Sequence, residues 1–202
     1  MKNQSFYLSN PLGFTLIELL IVIVIIGILA STVIIAINPT YLLQRSRDTK
    51  RLADMQNIVN ALQLYVQRME YFPGTTVDYG ESESTSNPSC PANNCSGWDT
   101  SAVDCNGLNG PFIDPLLTQG FFESVPVDPS NTITTSCGGY HYNYYRYTAG
   151  TNGCNATRGD FYVLGVVNME TINGRHPESP GWSCSGRDWQ NEFEWVTGRY
   201  TK

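Results

Sequence analysis

The sequence predicts an α+β chain. A long, once-interrupted amino-terminal helix packs on a small antiparallel sheet whose loops are closed by disulfides. Three observations predict this. An apolar run occupies Phe14–Ile37; apolar residues then recur at helical spacing over 52–69; and two segments, 140–147 and 161–168, have strand composition, with all six cysteines gathered in the last 113 residues.

The run FTLIELLIVIVIIGILASTVIIAI holds 24 residues. As a helix it would be about 36 Å long, enough to cross a hydrocarbon core of ~30 Å. Its one charge is Glu18. A carboxylate near the centre of a membrane span costs about 2.5–3.5 kcal/mol on insertion scales, so its presence implies a partner. Glu18 lies one helical turn after Phe14, and a cut before Phe14 would create an α-amine to oppose it, in the same chain or in a neighbour.

Gly13 followed by FTLIELLIVIVIIGILA resembles the amino-terminal segment of type IV pilins and type II secretion pseudopilins. The resemblance implies that a prepilin peptidase removes the leader 1–13 by cutting after Gly13. It implies that Phe14 becomes the N-methylated first residue. It also implies that Glu18 neutralises the amine of an adjacent subunit during filament assembly. The leader carries only Lys2, with Leu12 where a basic residue often precedes the glycine. A plain signal anchor would leave Glu18 unexplained. A removable secretory signal cut near Ala30 fits badly, because the apolar run continues past it and the positive n-region is weak.

Asn38-Pro39 should kink or break the helix, since proline lacks an N–H and crowds the preceding turn. The helix then resumes to about Glu70. Leu52, Met55, Val59, Leu62, Val66 and Met69 form one apolar stripe, widened by Ile58 and Tyr65, that should face a sheet. Arg45, Arg47, Asp48, Lys50, Arg51 and Asp54 read as a solvated face, because exposed ion pairs contribute little; a headgroup contact or an intersubunit salt-bridge set are the other readings.

Phe72-Pro73-Gly74 ends the helix, and a polar loop follows. Segment 112–125 should hold a short helix. The series Leu116, Leu117, Gly120, Phe121, Val125, Pro126, Asp128, Pro129 resembles the pattern that precedes the sheet in pseudopilins. Tyr140–Tyr147 and Phe161–Asn168 should form a hairpin with a long loop, and Trp189–Thr197 a further strand. The expected organisation is a leader at 1–13, a transmembrane or filament-core helix at 14–37, an amphipathic helix at 38–71, a cysteine-containing loop at 72–111, and the sheet with its carboxy-terminal loops at 112–202. Together with the resemblance, this is the pilin fold.

Cys90, Cys95, Cys105, Cys137, Cys154 and Cys184 lie on one side of the anchor, which argues for disulfides in an oxidising space. Their spacing offers no paired C-x-x-C, so no zinc site and no other metal or cofactor is expected. Six cysteines allow fifteen pairings. Cys90–Cys95 or Cys90–Cys105 would make a local clasp, with Cys137, Cys154 and Cys184 tying later loops. The cysteines place the carboxy-terminal part outside, although Arg45, Arg47, Lys50 and Arg51 after the anchor argue the other way.

Net charge is −6, and residues 90–202 hold eleven acids against six bases. That composition argues against a general nucleic-acid binder, which needs clustered Lys and Arg. H-E-x-x-H, Walker and G-x-S-x-G motifs are absent, and His141 and His176 are isolated from each other, so an enzyme is not expected. Arg158-Gly159-Asp160 matches an integrin-binding triplet, but a turn before a strand explains it equally well. Asn94-Cys95-Ser96 and Asn155-Ala156-Thr157 match a glycosylation acceptor on paper.

The expected protein is therefore a structural subunit of a type IV pilus or pseudopilus. It would wait in the inner membrane with its carboxy-terminal domain outside, then pass into an extracellular or periplasmic filament. Its partners would be copies of itself and other pilins, the prepilin peptidase/methyltransferase, and a membrane assembly platform. The competing reading is a minor or tip pilin acting as an adhesin or binding module for a surface, a substrate or DNA. A membrane-anchored enzyme would need a catalytic cluster that the sequence does not show.

Overall fold

The computed structural model describes residues 13–74, 98–101, 112–124, 126–134 and 138–202. The chain divides into two units, residues 1–42 and 43–202.

In the first unit, α1 spans Leu16–Ile37. Thr15 caps it: its hydroxyl accepts from the Glu18 N–H at 3.2 Å. The Glu18 carboxylate reaches back to the Thr15 N–H at 3.5 Å, closing a capping box. Asn38 ends the helix in the left-handed region at φ 45°, and Pro39 opens α2, Pro39–Met69. Asn38 serves both helices, because its side chain also accepts from the Tyr41 N–H at 3.3 Å. The interruption expected at Asn38-Pro39 is thus present as a break, with one helix ending and the next beginning there.

In the second unit, four strands among the described residues form an antiparallel sheet in the order β1 (Asp99–Thr100), β2 (Tyr142–Tyr147), β3 (Phe161–Val166), β6 (Trp195–Tyr200). The expected hairpin is present, with Tyr142 opposite Val166 and Tyr147 opposite Phe161. A short helix, α3, covers Asp114–Thr118. The pair β4 (Ser183–Cys184) and β5 (Arg187–Asp188) forms a small ribbon.

The last strand of the main sheet corrects the sequence reading. It starts at Trp195 rather than Trp189, and Trp189–Asn191 form a 3-10 turn. The cause is local: the Asp188 carboxylate accepts from the Gln190 N–H at 3.1 Å and caps that turn, while Trp189 is fully buried.

Strand alternation divides the sheet into two buried faces. Tyr142, Tyr144, Tyr162, Leu164, Val166 and Trp195 face α2, where Met55, Ile58, Ala61, Leu62 and Tyr65 are buried. The stripe is thus rotated from its expected centre, with Leu52, Val59, Val66 and Met69 at its margins. On the opposite face, Tyr147, Phe161, Val163, Val196 and Tyr200 pack under Trp98, Trp189 and Phe193. Gly165 lets Phe193 lie flat on the sheet, since a Cβ there would stand 2.7 Å from the ring. The Cys154–Cys184 disulfide ties the β2–β3 loop to the segment that forms this second cover. Cys90, Cys95, Cys105 and Cys137, with the clasp expected among them, lie outside the described residues.

The Arg-Gly-Asp triplet is absorbed by the fold. Asp160 accepts from Arg146 at 2.7 Å and from the Ala149 N–H at 3.1 Å, and the Arg158 guanidinium lies 4.2 Å over the Tyr200 ring. Asn155 likewise accepts from the Thr157 N–H at 3.0 Å and caps a 3-10 turn; Asn94 is outside the described residues.

Candidate functional site

The amino-terminal segment combines a short non-helical stretch with a long apolar helix. Gly13, Phe14 and Thr15 precede the helix, and all three are exposed. The Gly13–Phe14 bond therefore stands clear of the helical hydrogen-bond ladder, open to an extended-chain approach. From Leu16 to Val33 the helix is long and apolar enough to cross a membrane. Its side chains are exposed all round, with Leu16 at 82% and Ile17 at 66%. Such a surface suits a bilayer or a bundle of neighbouring apolar helices.

Glu18 occupies the third position of α1, where the helix dipole favours a carboxylate. The capping box gives the carboxylate two neutral contacts within the same chain, from the Thr15 N–H and hydroxyl, each at 3.5 Å. Sequence reasoning set Glu18 against a future amine and missed Thr15, although T-x-x-E ahead of an apolar run is the sequence signature of a capping box.

The charged stretch after α1 departs most from expectation. Arg45 and Lys50 are exposed, but Asp48, Arg51 and Asp54 are buried. Arg51 is wholly shielded and pairs with Asp48 at 2.7 Å, Asp128 at 2.7 Å and Glu170 at 2.9 Å. Its guanidinium also donates to Ser130 at 3.1 Å and lies 4.8 Å over the Tyr140 ring. Asp48 accepts from the backbone N–H groups of Glu170 and Thr171 and from the Thr171 hydroxyl at 2.6 Å. Arg47 holds Glu170 from outside, with Nε donating at 2.6 Å. Tyr142 donates to Asp54 at 2.8 Å. A solvated face is therefore incorrect. These groups bind the segments 126–131 and 168–171 to α2, and a buried guanidinium with three carboxylate partners satisfies both its charge and its donors.

The electrostatics follow from this geometry. Burial pushes the Asp48 carboxyl up, but the Thr171 hydroxyl, two backbone N–H groups and Arg51 outweigh it and hold it below the usual carboxylate range. Hydrogen bonding from Arg47, reinforced by Arg51, does the same to Glu170 against its partial desolvation. Burial opposes the Arg51 charge, yet Asp128, Asp48 and Glu170 raise its pKa above the usual arginine value.

Among the described residues, no group of three or more His, Cys, Asp or Glu could hold a metal ion. His141 and His176 play separate roles: His141 is buried against the Thr132 carbonyl, and His176 Nδ1 accepts from the Glu178 N–H.

Residues 8–34 match the model of the prokaryotic N-terminal methylation motif. This is the prepilin signature of type IV pilins and pseudopilins, and it covers Gly13, Phe14 and Glu18. The signature supports a type IV pilin-like or pseudopilin precursor, of a kind that is structural rather than enzymatic. With the apolar helix, it fits a precursor anchored in the inner membrane and processed by a prepilin peptidase for pilus-type assembly. No curated protein and no solved structure matches the chain.

Proposed function

We propose that the protein is a structural subunit of a type IV pilus or a type II secretion-like pseudopilus. The methylation motif over 8–34 carries this reading. In it, the peptidase cuts after Gly13 and the same enzyme methylates the amine of Phe14. Residues 14–37 then leave the lipid and join the apolar core of a helical filament. Glu18 faces the new amine of a neighbouring subunit and sets its axial register.

The capping box gives this register step a physical form. In the precursor, Glu18 is held by its own Thr15. A cut before Phe14 places a positive charge one residue from that N–H, so a competing partner arises only after processing. A charge pair of this kind specifies position rather than adding stability.

Two measurements test the proposal. The intact mass of the mature chain should correspond to a start at methylated Phe14; a chain that keeps residues 1–13 would overturn the assignment. Glu18→Ala should be processed and remain in the membrane, yet give no sheared filaments. Filaments at the wild-type level in that variant would remove the register role.

A further inference from the structure

Two Asn-Gly dipeptides stand among the described residues, Asn152-Gly153 and Asn173-Gly174. Such a pair is chemically reactive, because a glycine nitrogen with no Cβ beside it can attack the preceding side-chain amide. The two sites differ in what the glycine N–H meets.

The Gly153 N–H donates to the Gly150 carbonyl at 3.2 Å. A carbonyl oxygen accepts the bond but does not take the proton away. This dipeptide is also hemmed in. The Asn152 carbonyl accepts from the Gly186 N–H at 2.9 Å, and a Cβ at Gly153 would strike the Ser185 hydroxyl. The next residue, Cys154, is tied to Cys184.

Asn173-Gly174 is the opposite case. Both residues are exposed, in a bend outside any helix or strand. A Cβ at Gly174 would meet nothing within 4 Å, so a ring has room to close there. Among the described residues, no hydrogen bond holds the Asn173 side chain. The Gly174 N–H donates to a carboxylate, Glu194 Oε1, at 3.1 Å, which is within the reach of a general base. The other oxygen of Glu194 accepts from the Met169 N–H, and this second bond keeps the carboxylate aimed.

We propose that Asn173 is a self-modifying site, where Glu194 promotes conversion of the side-chain amide into a carboxylate through a cyclic imide. Glu194 Oε1 takes the proton from the Gly174 nitrogen. That nitrogen bonds to Asn173 Cγ while the Cγ–Nδ2 bond breaks. Glu194 returns the proton to the leaving nitrogen, which departs as ammonia. Water then opens the imide at either carbonyl, giving an aspartate or an isoaspartate with one added negative charge. Water is the only co-reactant consumed.

The position of the site gives the change a consequence. Asp48 accepts from the N–H groups of Glu170 and Thr171, and Glu170 pairs with Arg51. Glu194 holds the other end of the same loop through Gly174. A new carboxylate at 173 opposes Glu194, since like charges repel. An isoaspartate also lengthens the main chain by one carbon just before Gly174. The Gly174 end is thereby loosened, while the Asp48 end stays in place.

Ageing the full chain in detergent micelles at neutral pH, followed by peptide mass spectrometry, tests the site. The peptide holding Asn173 should gain the mass of an amide-to-acid conversion, and part of the product should be a substrate for an isoaspartate methyltransferase. Conversion should be at least about ten-fold faster in the folded chain than in the same chain unfolded in guanidinium chloride with its disulfides reduced, as general-base assistance requires. Asn152 is the control, and folding should slow its conversion. In Glu194→Gln, the folded-state advantage at Asn173 should vanish. A smaller ratio at Asn173, an unaltered ratio in the variant, or acceleration of Asn152 as well would each overturn the proposal. If the variant does not fold, the folded and unfolded rates of the wild type decide.

Discussion

Replacing Arg51 with methionine is expected to destabilise the carboxy-terminal unit by about 3–5 kcal/mol, the range for breaking a buried charge set by removing one partner. The side chain is fully shielded and faces Asp48, Asp128 and Glu170. Methionine fills much of the space but leaves these carboxylates without their common cation. The pH dependence gives the sharper test. In the wild type, Asp48 and Glu170 have pKa values below their ordinary ones. Their contribution is complete above the unfolded carboxylate values near 4 and is lost as pH falls through the lower folded values. In Arg51→Met, burial without the cation should favour the protonated acids, so mild acidification should recover stability instead of removing it. Denaturant midpoints at pH 7 and pH 5 for both proteins would show it. A variant whose midpoint stays level or falls between pH 7 and pH 5, instead of rising, would mean that Arg51 is not the charge these acids depend on.

Breaking the Cys154–Cys184 bond is the second large effect. The bond closes a separation of 30 residues, for which loop-closure entropy suggests a contribution of about 3.6 kcal/mol. The loss should be uneven. Cys184 belongs to the ribbon that lies over the outer sheet face with Trp182 and Trp189, whereas the α2 face is held by its own apolar cluster and by Arg51. Cys154→Ser/Cys184→Ser should therefore loosen the outer cover first. Tryptophan fluorescence can follow this selectively: of the four tryptophans, Trp98, Trp182 and Trp189 belong to the outer cluster, and Trp195 faces α2. A red-shifted emission at denaturant concentrations where the far-ultraviolet helix signal persists is the expected result. Simultaneous loss of both signals would show a single cooperative layer instead.

How far the sequence could be read depended on how far each partner lay along the chain. α1 was legible because an unbroken apolar run needs no partner to be recognised. The β2–β3 hairpin was legible because aromatic and β-branched residues flank a turn-rich loop. The Arg51 cluster was not, since Asp128 and Glu170 lie far along the chain, and on a single helix Asp48 and Arg51 look like an ordinary exposed i,i+3 pair. A signal was nevertheless present. Asp48, Arg51, Met55, Ile58, Leu62 and Tyr65 follow the same three-four rhythm, so the buried face continues into the charged stretch. Reading only apolar residues cut that face short. The last strand was displaced for the opposite reason: Trp189 and Phe193 resemble strand residues, yet they are lid residues, while Gly198 within the true strand carries no strand signal. A Cβ at Gly198 would collide with Trp182, which explains the glycine only once the lid is in place.

The Arg51 cluster also bears on the order of folding events. Its bond to Asp128 joins residues 77 positions apart, and Asp48 meets the Glu170 backbone across 122. Contacts between such distant positions form only after intervening segments have been ordered, because chain closure is unfavourable until other contacts support it. The knot on α2 is thus expected to close late, after the sheet stands. Interactions that form after the folding barrier act mainly on the escape rate from the native state. Arg51 would then govern how long a finished subunit endures, more than how quickly it is made.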